Sequence, residues 1–161
     1  MNKTALAALF VFFISNPVEA GDMYAGVKWG KSRNSIPGVT NTPSAIGLFG
    51  GYTINPYLSF EAGYIDLGNF GGNKATAADI SALFFYPGDE PFSLYAKLSY
   101  ASSAWKMPGQ VEYNSSFTQG LGFRYNTSAS TSFRFAWDRY MIGNPEVNNV
   151  DVFYLAGIYR F

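Results

Sequence analysis

Seven ionisable side chains stand apart in this chain: Lys28, Glu61, Asp79, Lys97, Arg124, Arg134 and Asp138. Each lies in a run of alternating residues, on the face that otherwise carries mainly glycine, serine and alanine. The opposite face of each run is bulky and apolar. Charges on such a narrow face, once withdrawn from bulk water, need partners, because an unpaired buried ion is strongly destabilising. Four cations and three carboxylates come close to balance, which predicts one interlocked ionic network. Nucleophilic and zinc chemistry are excluded by composition. The chain has no histidine and no cysteine, so Ser-His and Cys-His arrangements cannot form, nor can zinc sites of the usual kind. Glu61 has no second carboxylate convincingly placed beside it for acid–base work. The glycines of the Gly47–Gly51 stretch, GLFGG, lack the Lys-Ser/Thr ending of a phosphate loop. No enzyme, metal or cofactor is expected.

The elements that must position these charges are strands. Leu58, Phe60, Ala62 and Tyr64 alternate with Ser59, Glu61, Gly63 and Ile65, and a period of two sends successive side chains to opposite faces. Asn55-Pro56-Tyr57 before them is a tight-turn signal. Eight alternating segments follow this pattern, near Asp22–Lys31, Ala45–Ile54, Leu58–Leu67, Ala78–Tyr86, Phe92–Ala104, Phe117–Tyr125, Thr131–Met141 and Val150–Phe161. Most approach the ~9–11 residues that a tilted strand needs to cross a bilayer. Connectors alternate between short (Asn55–Tyr57, Pro87–Pro91, Asn126–Ser130) and longer (Ser32–Ser44, Gly68–Ala77, Trp105–Ser116, Ile142–Asn149). Short turns at one end and longer loops at the other describe an outer-membrane barrel, the short end periplasmic.

Residue size decides which face looks outward. Trp29, Phe84, Leu98, Leu121, Phe135 and Leu155 head bulky faces; Gly26, Lys28, Ser81, Lys97, Gly120 and Arg134 head narrow ones. A narrow lumen suits the second set, and a lipid belt the first. Tyr24, Phe49, Phe85, Tyr95 and Tyr154 are the exceptions, expected to fill space inside. Tyr and Trp near strand ends fit interfacial girdles. The fold expected is all-β: an eight-stranded antiparallel up-and-down transmembrane barrel spanning residues 21–161, without a second domain. Residues 1–20 read as a secretory signal, with Lys3, the apolar run Ala5–Ile14 and the exit Val18-Glu19-Ala20, cleaved after Ala20. The net charge of zero over 161 residues gives no footprint for nucleic acid.

Within Ile46–Gly68 the motifs LFGGY, NPY and FEAGYIDLG resemble the second and third strands of the OmpA-like transmembrane domain family, the small barrels of Gram-negative outer membranes. More weakly, the resemblance runs to the last residue, without the peptidoglycan-binding domain that follows the barrel in full-length members. It implies that Glu61, Lys97 (in YAKLSY) and Arg134 (in SFRFAW) occupy interior charged positions, where a carboxylate switching between basic partners has been proposed to gate conduction. Arg124 (in GLGFRY) departs from the family, which has a carboxylate there, so a structural plug is the favoured reading. Phe153, Leu155, Tyr159 and Phe161 are in phase and resemble the terminal-strand signal read by the outer-membrane assembly machinery. Lys31, Arg33, Lys74, Lys106 and Arg139 fall at or near the extracellular end, where cations suit lipopolysaccharide phosphates. The function expected is an envelope-stabilising, monomeric barrel with four exposed loops. An adhesin or host-factor-binding protein acting through those loops is the alternative, and a slow narrow pore the third reading.

Overall fold

A computed structural model describes residues 23–34, 42–87, 91–144 and 147–161. The signal expected over residues 1–20 lies outside the described residues. Eight strands follow one another: β1 (Met23–Asn34), β2 (Ser44–Asn55), β3 (Leu58–Phe70), β4 (Asn73–Pro87), β5 (Phe92–Met107), β6 (Gln110–Asn126), β7 (Thr131–Asn144) and β8 (Val147–Arg160). Each pairs antiparallel with its sequence neighbours, and β1 closes on β8 from Tyr24↔Arg160 to Asn34↔Val150. Closure matters because lipid cannot hydrogen-bond a free strand edge.

The alternation sets the two faces. Val27, Trp29, Leu48, Phe84, Leu98, Leu121, Phe135 and Leu155 all stand on the outer face, half or more exposed. A soluble protein would not leave so continuous an apolar surface uncovered; around a barrel it is the lipid-facing belt. Tyr24, Phe49, Phe85, Tyr95 and Tyr154 are buried inside. Inner-face glycines make room for them: a Cβ at Gly51 would lie 2.5 Å from the Tyr24 ring, and one at Gly122 would lie 2.7 Å from that of Tyr95.

The strand ends differ from expectation at the extracellular side. Three of the four longer connectors are largely strand. β3 continues to Phe70 and turns through Gly71-Gly72 into β4, β5 continues to Met107 and turns at Pro108-Gly109, and β7 runs to Asn144. Gly71 and Gly72 have φ of +63° and +95°, the sign that a type I′ two-residue hairpin turn requires at both positions. Most of the expected β1–β2 connection, residues 35–41, lies outside the described set. Glycine, asparagine, serine and threonine made these segments look like loops. Their polarity reflects water around them, and an antiparallel ladder forms in water as well as in lipid. At the short end, the expected turn is present, with Tyr57 N–H donating to Asn55 Oδ1 at 2.9 Å.

Candidate functional site

The lumen is layered. Its upper layer is apolar: Ile65, Leu67, Phe70, Trp105, Tyr140, Val150 and Val152 are buried there, with Phe70 and Trp105 stacked at 5.7 Å between ring centres. The sequence reading did not anticipate this layer.

Below it lies the first ionic cluster. Lys97 on β5 points inward and its Nζ donates to Asp79 Oδ2 on β4 at 2.7 Å and to Asp138 Oδ2 on β7 at 2.9 Å. Ser81 Oγ also donates to Asp79 Oδ2, at 3.1 Å, and Tyr154 OH reaches Asp138 Oδ1 at 3.4 Å. Two glycines leave the space these carboxylates occupy. A Cβ at Gly63 would lie 2.9 Å from Asp79 Oδ1, and one at Gly120 would overlap Asp138.

The second cluster lies nearer the short turns. Arg134 Nη1 donates to Glu61 Oε1, which also accepts from Tyr24 OH at 2.9 Å. The guanidinium is surrounded by the rings of Tyr24, Phe49, Tyr95 and Phe85, at 5.3 to 5.8 Å. Such rings are favourable neighbours for a desolvated cation.

Among the described residues, the expected single network is two ion-paired clusters, and Lys28 stands apart from both. Lys28 is buried and lies over the rings of Phe49 and Tyr154 at 5.7 and 5.4 Å, outside ion-pair distance of the carboxylates. Arg124, half-buried, faces Arg134 directly across β6 and β7. Like charges so placed repel; both guanidiniums lie over the Phe85 ring, Arg124 at 4.2 Å and Arg134 at 5.8 Å, and Arg134 is also paired with Glu61.

The five cations at the extracellular end divide as well. Lys74 is bound to Asp66 at 2.6 Å, and that carboxylate holds its ammonium above the usual lysine range. Arg139 is bidentate on Asp151 at 2.7 and 2.9 Å and lies over Trp137, whose Nε1 donates to the same carboxylate at 3.1 Å. Lys31 Nζ donates to Ser44 Oγ at 3.0 Å. Arg33 and Lys106 are exposed, with no ion pair among the described residues. At the end of β8, Phe153, Leu155, Tyr159 and Phe161 share the outer face, all exposed, the last two with ring centres 5.5 Å apart.

A closed barrel with an apolar girth and ion pairs buried in its lumen is the build of an integral outer-membrane protein. The chain belongs to the outer membrane protein beta-barrel domain family, whose model matches residues 4–161. It is similar to outer membrane protein A of Escherichia coli O157:H7, 25% identical over 193 residues, covering 100% of this chain and 55% of that protein. With outer membrane protein A of Shigella flexneri it shares 26% identity over 168 residues, covering 85% of this chain and 48% of that protein. The chain thus spans about half the length of the curated relatives it matches. Among solved structures, Neisserial surface protein A aligns with a TM-score of 0.69 at 18% identity, covering 89% of this chain and all of the other. The attachment invasion locus protein Ail of Yersinia pestis, in complex with the heparin analogue sucrose octasulfate, aligns at 0.62 and 19%, covering 88% and 99%. These two share the fold. The protein resides in the cell outer membrane, in contact with its lipid.

Proposed function

We propose that this protein is a sealed structural barrel that reinforces the outer membrane and conducts nothing in its resting form. The observation that carries this reading is the Lys97–Asp79–Asp138 cluster lying beneath the Phe70–Trp105 stack. A side-chain-filled lumen of eight strands leaves no continuous aqueous path. In this reading residues 1–20 are removed after Ala20, the assembly machinery reads Phe153, Leu155, Tyr159 and Phe161, and the monomer performs no catalysis. Arg33 and Lys106, exposed and without an ion pair among the described residues, are the first candidates among the five cations for lipopolysaccharide phosphate. The test is planar-bilayer conductance of the purified protein, beside detergent sensitivity of cells lacking it. Quiet bilayers and sensitised cells support the reading. A steady conductance that rises in Glu61→Gln or Arg134→Gln would replace it with a narrow pore.

A second reading, surface contact, is favoured by the extension of β3–β6 into a polar sheet above the belt. Ail, which shares the fold, is described with a heparin analogue bound. If this chain also acts outside the cell, purified protein should bind host-cell surfaces and lose that binding when the β5–β6 hairpin is replaced.

A further inference from the structure

We infer that the short-turn end of the lumen is a binding site for a small oxyanion of the phosphate class, entering from the periplasm. The inference goes beyond the sealed-barrel reading and does not rest on it: conductance tests that reading, and anion binding tests this one.

The ladder brings the cations together. Ser93 on β5, Arg124 on β6 and Arg134 on β7 are successive cross-strand partners, all on the inner face. Two guanidiniums converge on one ring, with Arg124 over Phe85 at 4.2 Å and Arg134 at 5.8 Å. Nearer the turns, Asn126 on β6 faces Ser132 on β7, and Arg160 on β8 donates from Nη2 to Asn126 Oδ1 at 3.2 Å. Among the described residues, Arg124, Arg134 and Arg160 thus meet one carboxylate at this end, Glu61, which accepts from Arg134 Nη1 and Tyr24 OH. The other lumen carboxylates, Asp79 and Asp138, are held by Lys97.

Converging like charges cost free energy unless an opposite charge joins them. The buried donors at this end call for acceptors as well. Arg134 Nε and Ser132 Oγ, both in buried residues, have no hydrogen-bond partner, and a buried donor left unsatisfied is destabilising.

A tetrahedral oxyanion supplies both needs, bringing negative charge and several oxygens that suit guanidinium forks. Chloride brings the charge without the oxygens. The rings of Tyr24, Phe49, Phe85 and Tyr95 crowd Arg134 at 5.3 to 5.8 Å, which restricts the ligand to a small ion. Arg124 and Arg160, each partly exposed, mark the side from which it enters.

The experiment uses the barrel refolded in dodecyl maltoside micelles, whose headgroup carries no phosphate. Inorganic phosphate is exchanged for chloride at constant ionic strength, and binding is followed by phosphorus NMR line broadening. Saturable binding is expected, with a rise in the heat-unfolding midpoint, because the ligand favours the folded barrel. Arg124→Gln should weaken binding by about tenfold or more and remove the midpoint shift. Phosphate's general salting effect reaches both proteins alike. Heat-dependent gel mobility reports whether the variant folds; should it not, Arg160→Gln at the rim carries the test, with a loss of about threefold or more. No saturable phosphate binding, equal binding by the folded variant, or chloride binding as strong as that of phosphate would each overturn the inference. Failure to bind free phosphate together with Arg124-dependent retention of phosphatidylglycerol would overturn it too, by assigning these cations to a lipid headgroup.

Discussion

Replacing Lys97 with Met keeps all but the terminal atom's length of the side chain and removes its charge, so the packing of the lumen changes little. The electrostatics change a great deal. The Lys97 ammonium holds Asp79 Oδ2 at 2.7 Å and Asp138 Oδ2 at 2.9 Å, and all three side chains are buried. Without it the two carboxylates face each other across the space it occupied. Two unit charges roughly 5 Å apart repel by about 3 kcal/mol at an effective dielectric of ~20. Removing one partner from a buried ion pair costs ~3–5 kcal/mol by a related argument. The two figures describe the same loss and are not added. Lys97→Met should therefore lower unfolding stability by about 3–5 kcal/mol, roughly two to four powers of ten in the folding constant. The assay is urea unfolding in phospholipid vesicles, followed by tryptophan fluorescence and by gel mobility before and after heating. Adding Asp138→Asn should restore more than half of the loss. One carboxylate then remains, and it keeps the Ser81 Oγ donor at 3.1 Å. A loss under ~1 kcal/mol, the scale of an exposed pair, would mean that water fills the cluster and that the sealed-lumen reasoning is wrong.

Phe135 stands on the outer face, half exposed, beside Phe123 at 5.7 Å between ring centres. Phe135→Arg should cost ~2–4 kcal/mol in the same vesicle assay if the site lies near the bilayer midplane, whereas a surface bathed in water would tolerate it. Trp105→Ala removes a buried ring stacked on Phe70. It should cost ~3–5 kcal/mol and speed protease cutting of the β3–β4 and β5–β6 hairpins in intact vesicles. Deleting Phe161 should slow the appearance of heat-modifiable protein in cells while leaving the refolded barrel's urea midpoint nearly unchanged; equal assembly rates would remove Phe161 from the signal.

The parts of this fold that were legible in the sequence were those on which lipid acts directly. Across β5 the order Lys97 in, Leu98 out, Ser99 in, Tyr100 out is a polar lumen beside an apolar exterior, and one rule reads it correctly. Nearer the end of β5 the rule inverts. Trp105 is buried inside, whereas Lys106 is exposed outside. The other long strands invert likewise: Asp138 inside gives way to Tyr140 inside, and Phe153 outside to Asp151 outside. Once the strands leave the bilayer, water surrounds the sheet and the lumen becomes its only dry place, as in a soluble barrel. A single polarity rule takes that reversal for the end of the strand, so β3–β6 looked shorter than they are. The pairing inside the lumen was hidden for a different reason. That Lys97 meets Asp79 and Asp138 rather than Glu61 depends on the stagger of strands around the closed sheet, which the alternation within any one strand does not encode. Both facts bear on β6. Above the bilayer no lipid penalises an open ladder, so the pairing of β6 with β7 ends at Gln119↔Arg139, and the stretch that resembled a loop continues as a strand paired with β5.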